Sequence, residues 1–262
     1  MAAIRVVQIS DSHLFADPAR KLLGINTEES LGWVVEQVQQ EQKNPQLILA
    51  TGDIAQDASV AAYERFKQHL APLKAPIYWL PGNHDHVNVM AQAVNNPKHL
   101  SPCMIEQGVW RIILLDSAVP GEVWGQLVQS QLDFLHQSLE NSKNYHVMIC
   151  LHHHPVLMGS GWIDEIGLKN SAEFFSLTDA HSCVKAIVWG HVHQAFHQER
   201  KGVQLFATPS TCIQFKPNSD RFSLEGYPGY RWFDLFDDGT LHSEVSRINP
   251  PYWNIDLKAG GY

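Results

Sequence analysis

The chain has no long apolar run, no basic cluster and few cysteines, and each shortage excludes a class of protein. No uninterrupted hydrophobic stretch approaches the ~18 residues that a membrane-spanning helix needs. The opening "MAAIRVVQIS" lacks the charged leader and apolar core of a signal peptide, so a soluble, cytoplasmic protein with no membrane partner is expected. Basic residues number 19 against 27 acidic ones, a net charge of -8, which weighs against a nucleic-acid polymer as partner. A small anionic substrate would then need positive charge from elsewhere, and bound metal ions are one source. Cys103, Cys150, Cys183 and Cys212 are scattered with no CxxC pair, so buried, reduced thiols are expected rather than a disulfide framework or a thiolate metal site. Low-complexity tracts, repeats and linkers are also missing. One domain over residues 1–262 follows, with an irregular tail from about 249; oligomeric state leaves no trace.

What is present is a globular composition, 44% hydrophobic, organised as short β-rich runs at 4–10, 47–51, 77–81, 111–116, 146–151, 186–190 and 203–208. Val, Ile, Leu and aromatics fill these runs, as expected of strands buried on both faces. Helical spacing lies between several of them. Leu31, Val34, Val35 and Val38 form one stripe over 27–43, with Thr27 as N-cap, and Tyr63, Phe66 and Leu70 form another over 59–70. A third pattern covers 127–139. A hairpin is expected around Asp238-Gly239. The alternation of strands and helices predicts an α/β fold with a more antiparallel C-terminal part.

The chemistry sits where the strands end. Asp11 and His13 follow the first run, Asp53 the second, and Asn83, His84 and Asp85 the third. His152, His153 and His154 follow "VMICL", and His191 and His193 follow "IVWG". A lone Asp or Asn after a strand is usually a turn residue, and a lone His is usually a satisfied surface or core group. With His86, which follows Asp85, eight of the 15 histidines nevertheless lie in these strand-end segments. In open α/β sheets ligands bind beyond the carboxyl ends of the strands, where residues remote in sequence converge. A mixture of imidazole and carboxylate suits Zn, Mn, Fe or Co rather than a purely hard cation. Gly52, Gly82 and Gly190 immediately precede Asp53, Asn83 and His191, and leave room for close approach there.

In order, Asp11-x-His13, Gly52-Asp53, Gly82-Asn83-His84-Asp85, the histidine block and Gly190-His191-x-His193 resemble the motifs of the calcineurin-like metallophosphoesterase family. The narrower stretches "LLGINTEES", "GDIAQDASVAAYERF" and "LFATPSTCIQFKP" resemble the bacterial class III 3′,5′-cyclic-AMP phosphodiesterases. The resemblance implies a four-layer αββα sandwich with two divalent metal ions (Fe, Mn, Zn or Co) at the strand ends. It implies hydrolysis of 3′,5′-cyclic AMP to 5′-AMP by water activated between those ions. A broad phosphodiesterase acting on 2′,3′-cyclic nucleotides or other small diesters is the alternative.

Carried over by position, the resemblance assigns Asp11, His13, Asp53 and His193 to the first metal. It assigns Asp53, Asn83, a histidine of the triplet and His191 to the second. Gapless alignment of "LHHHPV" with the family's usual "HHPP" selects His152, whereas placing the ligand two residues before Pro155 selects His153. His84 would act on the phosphate or protonate the leaving oxygen, with Asp85 orienting it. His13, Asn83, His84 and His193 would all lie against the substrate. Thr208, Ser210, Thr211 and Phe215 are candidate nucleotide contacts, and Trp162 is a candidate stacking partner for the base. Asp116, after "RIILL", either supports the site or caps a turn.

Overall fold

The computed structural model describes residues 3–258. Two sheets lie face to face. The first has strand order β13 (Leu241–Arg247), β12 (Gly229–Leu235), β1 (Ile4–Ile9), β4 (Leu47–Thr51) and β5 (Ile77–Leu80). The second has the order β10 (Phe196–Arg200), β11 (Val203–Ala207), β9 (Val184–Trp189), β8 (His146–Leu151), β7 (Trp110–Leu114) and β6 (Cys103–Gln107). Strands β1, β4 and β5 run parallel, as do β7, β8, β9 and β11, while the outer strands β12, β13, β10 and β6 pair antiparallel. A short hairpin of β2 (Lys21–Leu22) and β3 (Ile25–Asn26) precedes the first helix.

Helix α1 (Thr27–Glu41) follows that hairpin, α2 (Val60–Leu70) and α3 (Val87–Ala93) follow strands of the first sheet, and α4 (Gln129–Glu140), α5 (Gly161–Asp164) and α6 (Ser171–Asp179) belong with the second. The layering comes from the two-residue period of the strands. Val6, Leu47 and Leu49 point inward to meet Met148, Cys150, Ala186 and Val188 of the other sheet. Their neighbours Val7, Ile9, Ile48 and Ala50 point outward onto Leu31, Val34, Tyr63 and Phe66. Ile149, Leu151, Ile187 and Trp189 do the same on the far side, against Leu132, Leu135, Leu139 and Phe174. Each Val, Leu, Ile, Met or Phe among them, fully removed from water, contributes roughly 1.5–3 kcal/mol. The result is the expected four-layer αββα sandwich.

Local details refine the expectation. Asn26, not Thr27, caps α1, its side chain accepting from Glu29 N–H, while Thr27 Oγ1 donates to the His13 carbonyl. The hairpin at Asp238-Gly239 forms, with Gly239 at φ 82°. All four cysteines are free and buried. The tail carries no helix or strand from Ile248 to Lys258, yet Trp253 and Ile255 pack into the core beside the second sheet, and Asp256 N–H bonds to the Leu23 carbonyl. Residues 259–262 of the expected tail lie outside the described residues.

Candidate metal centre

The parallel strands of both sheets end at one place, so their carboxyl-terminal loops meet there. The first-sheet loops are fastened to each other by Asp11 N–H to Gly52 C=O and His13 N–H to Asp53 C=O, at 3.0 and 2.9 Å. His191 N–H then crosses to the carboxylate of Asp11, 3.0 Å from Oδ1. Five chemistry-bearing residues without the freedom of glycine sit in the left-handed backbone region: Asp11, His13, Asp53, His191 and His193, with φ between 47° and 65°. Such conformations cost about 1–3 kcal/mol each and persist where surrounding structure enforces them, often at functional sites. Gly52, at φ 91°, turns the chain after β4, and a Cβ there would collide with the His152 ring. A Cβ on Gly82 would likewise overlap the Asp53 carboxylate.

The side chains converge in four overlapping groups whose N and O atoms lie within 4.8 Å of one another: Asp11/His13/His193, His13/Asp53/His84, Asp11/Asp53/His152 and His152/His153/His191. Four of these imidazoles are oriented by their outer nitrogen. His193 Nδ1 bonds to the Ile213 carbonyl at 2.9 Å, His152 Nδ1 to the Thr51 carbonyl at 2.8 Å, and His191 Nε2 to the Ile166 carbonyl at 3.1 Å. His13 Nδ1 bonds Gln56 Oε1 at 2.5 Å. That leaves His13 Nε2 and His193 Nε2 only 3.1 Å apart, and His152 Nε2 3.3 Å from Asp53 Oδ2. Asn83 Oδ1 is buried with no hydrogen-bond partner among the described residues. Buried polar atoms without partners are rare and point to an unseen ligand or ion. The donor set, carboxylate, amide and imidazole without thiolate, fits borderline divalent cations.

Protonation follows from this crowding. Burial lowers His13 to about 3, helped by the neighbouring His84 and His193, so it is a neutral donor at physiological pH. Burial also holds His191 well below its ordinary range, with the other histidines adding to it. Burial opposes a charged His152, yet the Asp53 carboxylate outweighs it and raises this imidazole to about 9. Asp53 is correspondingly held well below the carboxylate range, against its own burial, by His152, His84 and His13. In the metal-free protein a proton on His152 thus stands in for a cation.

The candidate side chains differ in what they meet. His152 enters two of the four groups, one of them with both carboxylates; His153 enters one, its Nδ1 held by Ser117 Oγ at 2.8 Å and its Nε2 buried without a partner. His154 belongs to none of the four groups, and its ring stacks on that of His191 at 5.7 Å. Asp85 was expected to orient His84. Its oxygens instead accept from the backbone N–H of Ile54, Ala55 and Gly82 and from the Tyr63 hydroxyl, which clamps the β4 loop to the β5 loop. His84 is placed by its backbone, whose N–H bonds Asp53 Oδ1 at 2.9 Å, with its ring 5.0 Å from that of His13.

The expected nucleotide contacts Thr208, Ser210 and Thr211 are corrected: all three are fully buried behind the centre. Ser210 Oγ donates to the Asp11 carbonyl and Thr211 Oγ1 to Ser12 Oγ, so this loop supports the β1 end. Phe215 stacks flat on His193 at 4.2 Å and on its other side meets Trp162 at 4.9 Å. Asp116 caps a turn, Oδ1 accepting from Ala118 N–H at 2.9 Å, and burial raises it to about 6. Gln56, Tyr63 and Ser117 were missed. Of these only Tyr63 left a signal, since a tyrosine in a buried stripe needs a partner for its hydroxyl.

Residues 4–195 match the calcineurin-like phosphoesterase family, and the chain belongs to it. It is 43% identical over 262 residues to the 3′,5′-cyclic adenosine monophosphate phosphodiesterase CpdA of Pseudomonas aeruginosa, covering 100% of this chain and 96% of that one. It is 41% identical over 266 residues to the enzyme of the same name from Escherichia coli K12, again covering 100% and 96%. Among solved structures, a dimetal phosphatase from Danio rerio superposes with a TM-score of 0.71 over 90% of this chain and 94% of its own, at 14% identity, a likeness of fold.

Proposed function

We propose that the protein hydrolyses 3′,5′-cyclic AMP to 5′-AMP in the cytoplasm, working as one metal-dependent domain. The observation that carries this is identity of 41–43% along essentially the full length of two enzymes named for that reaction. The convergence of buried carboxylates and imidazoles supports the chemistry. Asp11, His13, Asp53 and His193 would hold one divalent cation, and Asp53, Asn83, His152 and His191 a second. When bound, such a pair supplies positive charge for the phosphate oxygens and lowers the pKa of water toward neutrality.

The chain's own residues do the rest. The carbonyls of Thr51, Ile166 and Ile213 fix the three inward-facing imidazoles of His152, His191 and His193, so little reorganisation is needed as charge develops. Half-buried His84 would donate a hydrogen bond to a phosphoryl oxygen or protonate the 3′-oxygen as the P–O3′ bond breaks. Asp85 and Tyr63 hold the loop that carries it.

The test is a parallel assay of purified protein of measured metal content on 3′,5′-cAMP, 3′,5′-cGMP, 2′,3′-cAMP and bis(p-nitrophenyl) phosphate, with Asp53→Ala as blank. A kcat/KM preference for 3′,5′-cAMP is expected. Equal or better rates on the other diesters would replace this reading with a broad-specificity phosphodiesterase.

A further inference from the structure

A cavity of about 270 Å³ opens directly beside Asn83. Pro81, Val87, Val119 and Pro120 supply much of its apolar wall, and His86, Asn88 and Asp116 line it with polar groups. Asp116 stands here for a topological reason. Leu114 pairs with Cys150 in the parallel ladder and Leu115 N–H bonds the Cys150 carbonyl, so Asp116 emerges level with His152 on the next strand. It does not serve that imidazole, whose Nδ1 is taken by Thr51 and whose Nε2 faces Asp53. One Asp116 oxygen accepts the turn bond from Ala118, and its backbone N–H bonds Gln131 Oε1. The second oxygen has no donor among the described residues. Asp85 also borders the cavity, but its oxygens are engaged by four donors.

A cavity with largely apolar walls, an Asp116 oxygen without a donor and a mouth beside Asn83 matches what a nucleoside attached to a centre-bound phosphate presents: two flat faces and a few hydrogen-bond donors. We infer that this cavity seats the nucleoside of the substrate, and that Asp116 Oδ2 accepts a hydrogen bond from it, making Asp116 a specificity residue rather than part of the hydrolytic machinery. The inference rests on the nucleotide reading above. The donor is either the ribose 2′-hydroxyl or the exocyclic amine of adenine, which share this chemistry. Because the acceptor belongs to the cavity and not to the phosphate site, it adds to the affinity for nucleotides and nothing to that for phosphate.

Asp116→Asn is the clean variant: its Oδ1 keeps the turn bond to Ala118 while an NH2 replaces the free oxygen. Calorimetric titration of metal-loaded protein with 5′-AMP and with inorganic phosphate tests the inference without requiring turnover. The Kd of 5′-AMP should rise at least about 10-fold, the scale of one lost hydrogen bond to a charged group, while that of phosphate changes less than about 2-fold and metal content stays the same. Titration with 2′-deoxy-AMP and with IMP separates the donors: the analogue that binds wild type and variant alike lacks the group that Asp116 recognises. A parallel rise for AMP and phosphate would overturn the inference by placing Asp116 at the metal centre, and no change for either would overturn it by emptying the cavity of function. Wild-type protein that binds AMP no better than phosphate would overturn it as well. Failure of the substrate reading is seen separately, as absent cAMP turnover in the assay already described.

Discussion

The two sheets supply different chemistry to one centre. The first-sheet loops bring the oxygen donors Asp11, Asp53 and Asn83, along with His13 and His84; the second-sheet loops bring only imidazoles, His152, His153, His191 and His193. Neither side is a site alone. Two buried carboxylates without a counter-charge would be driven to protonate, and imidazoles alone would be driven neutral by burial, as His191 is. The contacts that relieve both run across the seam, from His191 N–H to Asp11 and from His152 to Asp53. Between the same sheets lies the apolar core that docks them. The centre is therefore complete only where that core docks the two sheets.

The hardest test of this comparison is Asp53→Ala. Asp53 belongs to groups on both sides of the seam, so its loss should leave less than one tightly held ion per chain by elemental analysis. Hydrolysis should fall at least about 10³-fold, the upper end of what removing one electrostatic partner costs, with circular dichroism unchanged. Retention of two ions would show that the imidazole side suffices by itself. His84→Ala probes the one first-sheet imidazole proposed to act on substrate. Both ions should stay bound while kcat falls about 10²-fold or more, typical of a lost general acid. Loss of an ion would make His84 a ligand, and unchanged kcat would remove it from the mechanism.

Much of this division is legible in the sequence, because a polar residue directly after a buried strand is a local signal. β1, β4, β5, β8 and β9 are all apolar runs that stop at an Asp, Asn or His within a few residues. What was not legible depends on contacts made at long range. β10, "FHQER", is a polar, largely exposed edge strand without a hydrophobic pattern. Ser210 and Thr211 look like loop residues open to a ligand, and become buried supports only because β11 delivers them beneath the β1 loop. The clamp by Asp85 joins positions about 30 residues apart, and nothing adjacent to it announces its four donors.

The link across the seam also sets a pH dependence for the metal-free protein. His152 has an ordinary pKa of 6.5 and is raised to about 9 in the fold. Between those values the native state binds a proton that the unfolded chain has lost, so stability falls as pH rises. The contribution is complete below 6.5 and gone above about 9. Thermal melts of chelated protein should therefore show Tm dropping from pH 6.5 to 9, with the slope reduced in His152→Gln. Metal-loaded protein should show a flatter profile in that window, because a cation occupies the place of the proton. An identical slope in His152→Gln would mean that some other group carries it.

The smallest expected effect lies within the first sheet alone, at Tyr63. Its hydroxyl donates to Asp85 Oδ1 at 3.0 Å and accepts the His86 N–H at 3.1 Å, beside the N–H groups of Ile54 and Ala55 that the same carboxylate holds. Tyr63→Phe removes one oxygen and keeps the ring that packs beneath β4. Asp85 keeps three backbone donors, and only the His86 N–H loses its partner, so the cost should be about 1–2 kcal/mol. In a chain of this length that is a fall in Tm of roughly 2–8 °C. Because the clamp holds the loop bearing Asn83 and His84, kcat should also fall, by less than about 10-fold, while KM holds, as for an interaction that acts only through positioning. The same fall in Tm with kcat untouched would confine the clamp to stability, and would mean that other contacts, the backbone bond to Asp53 among them, hold His84 where it is needed.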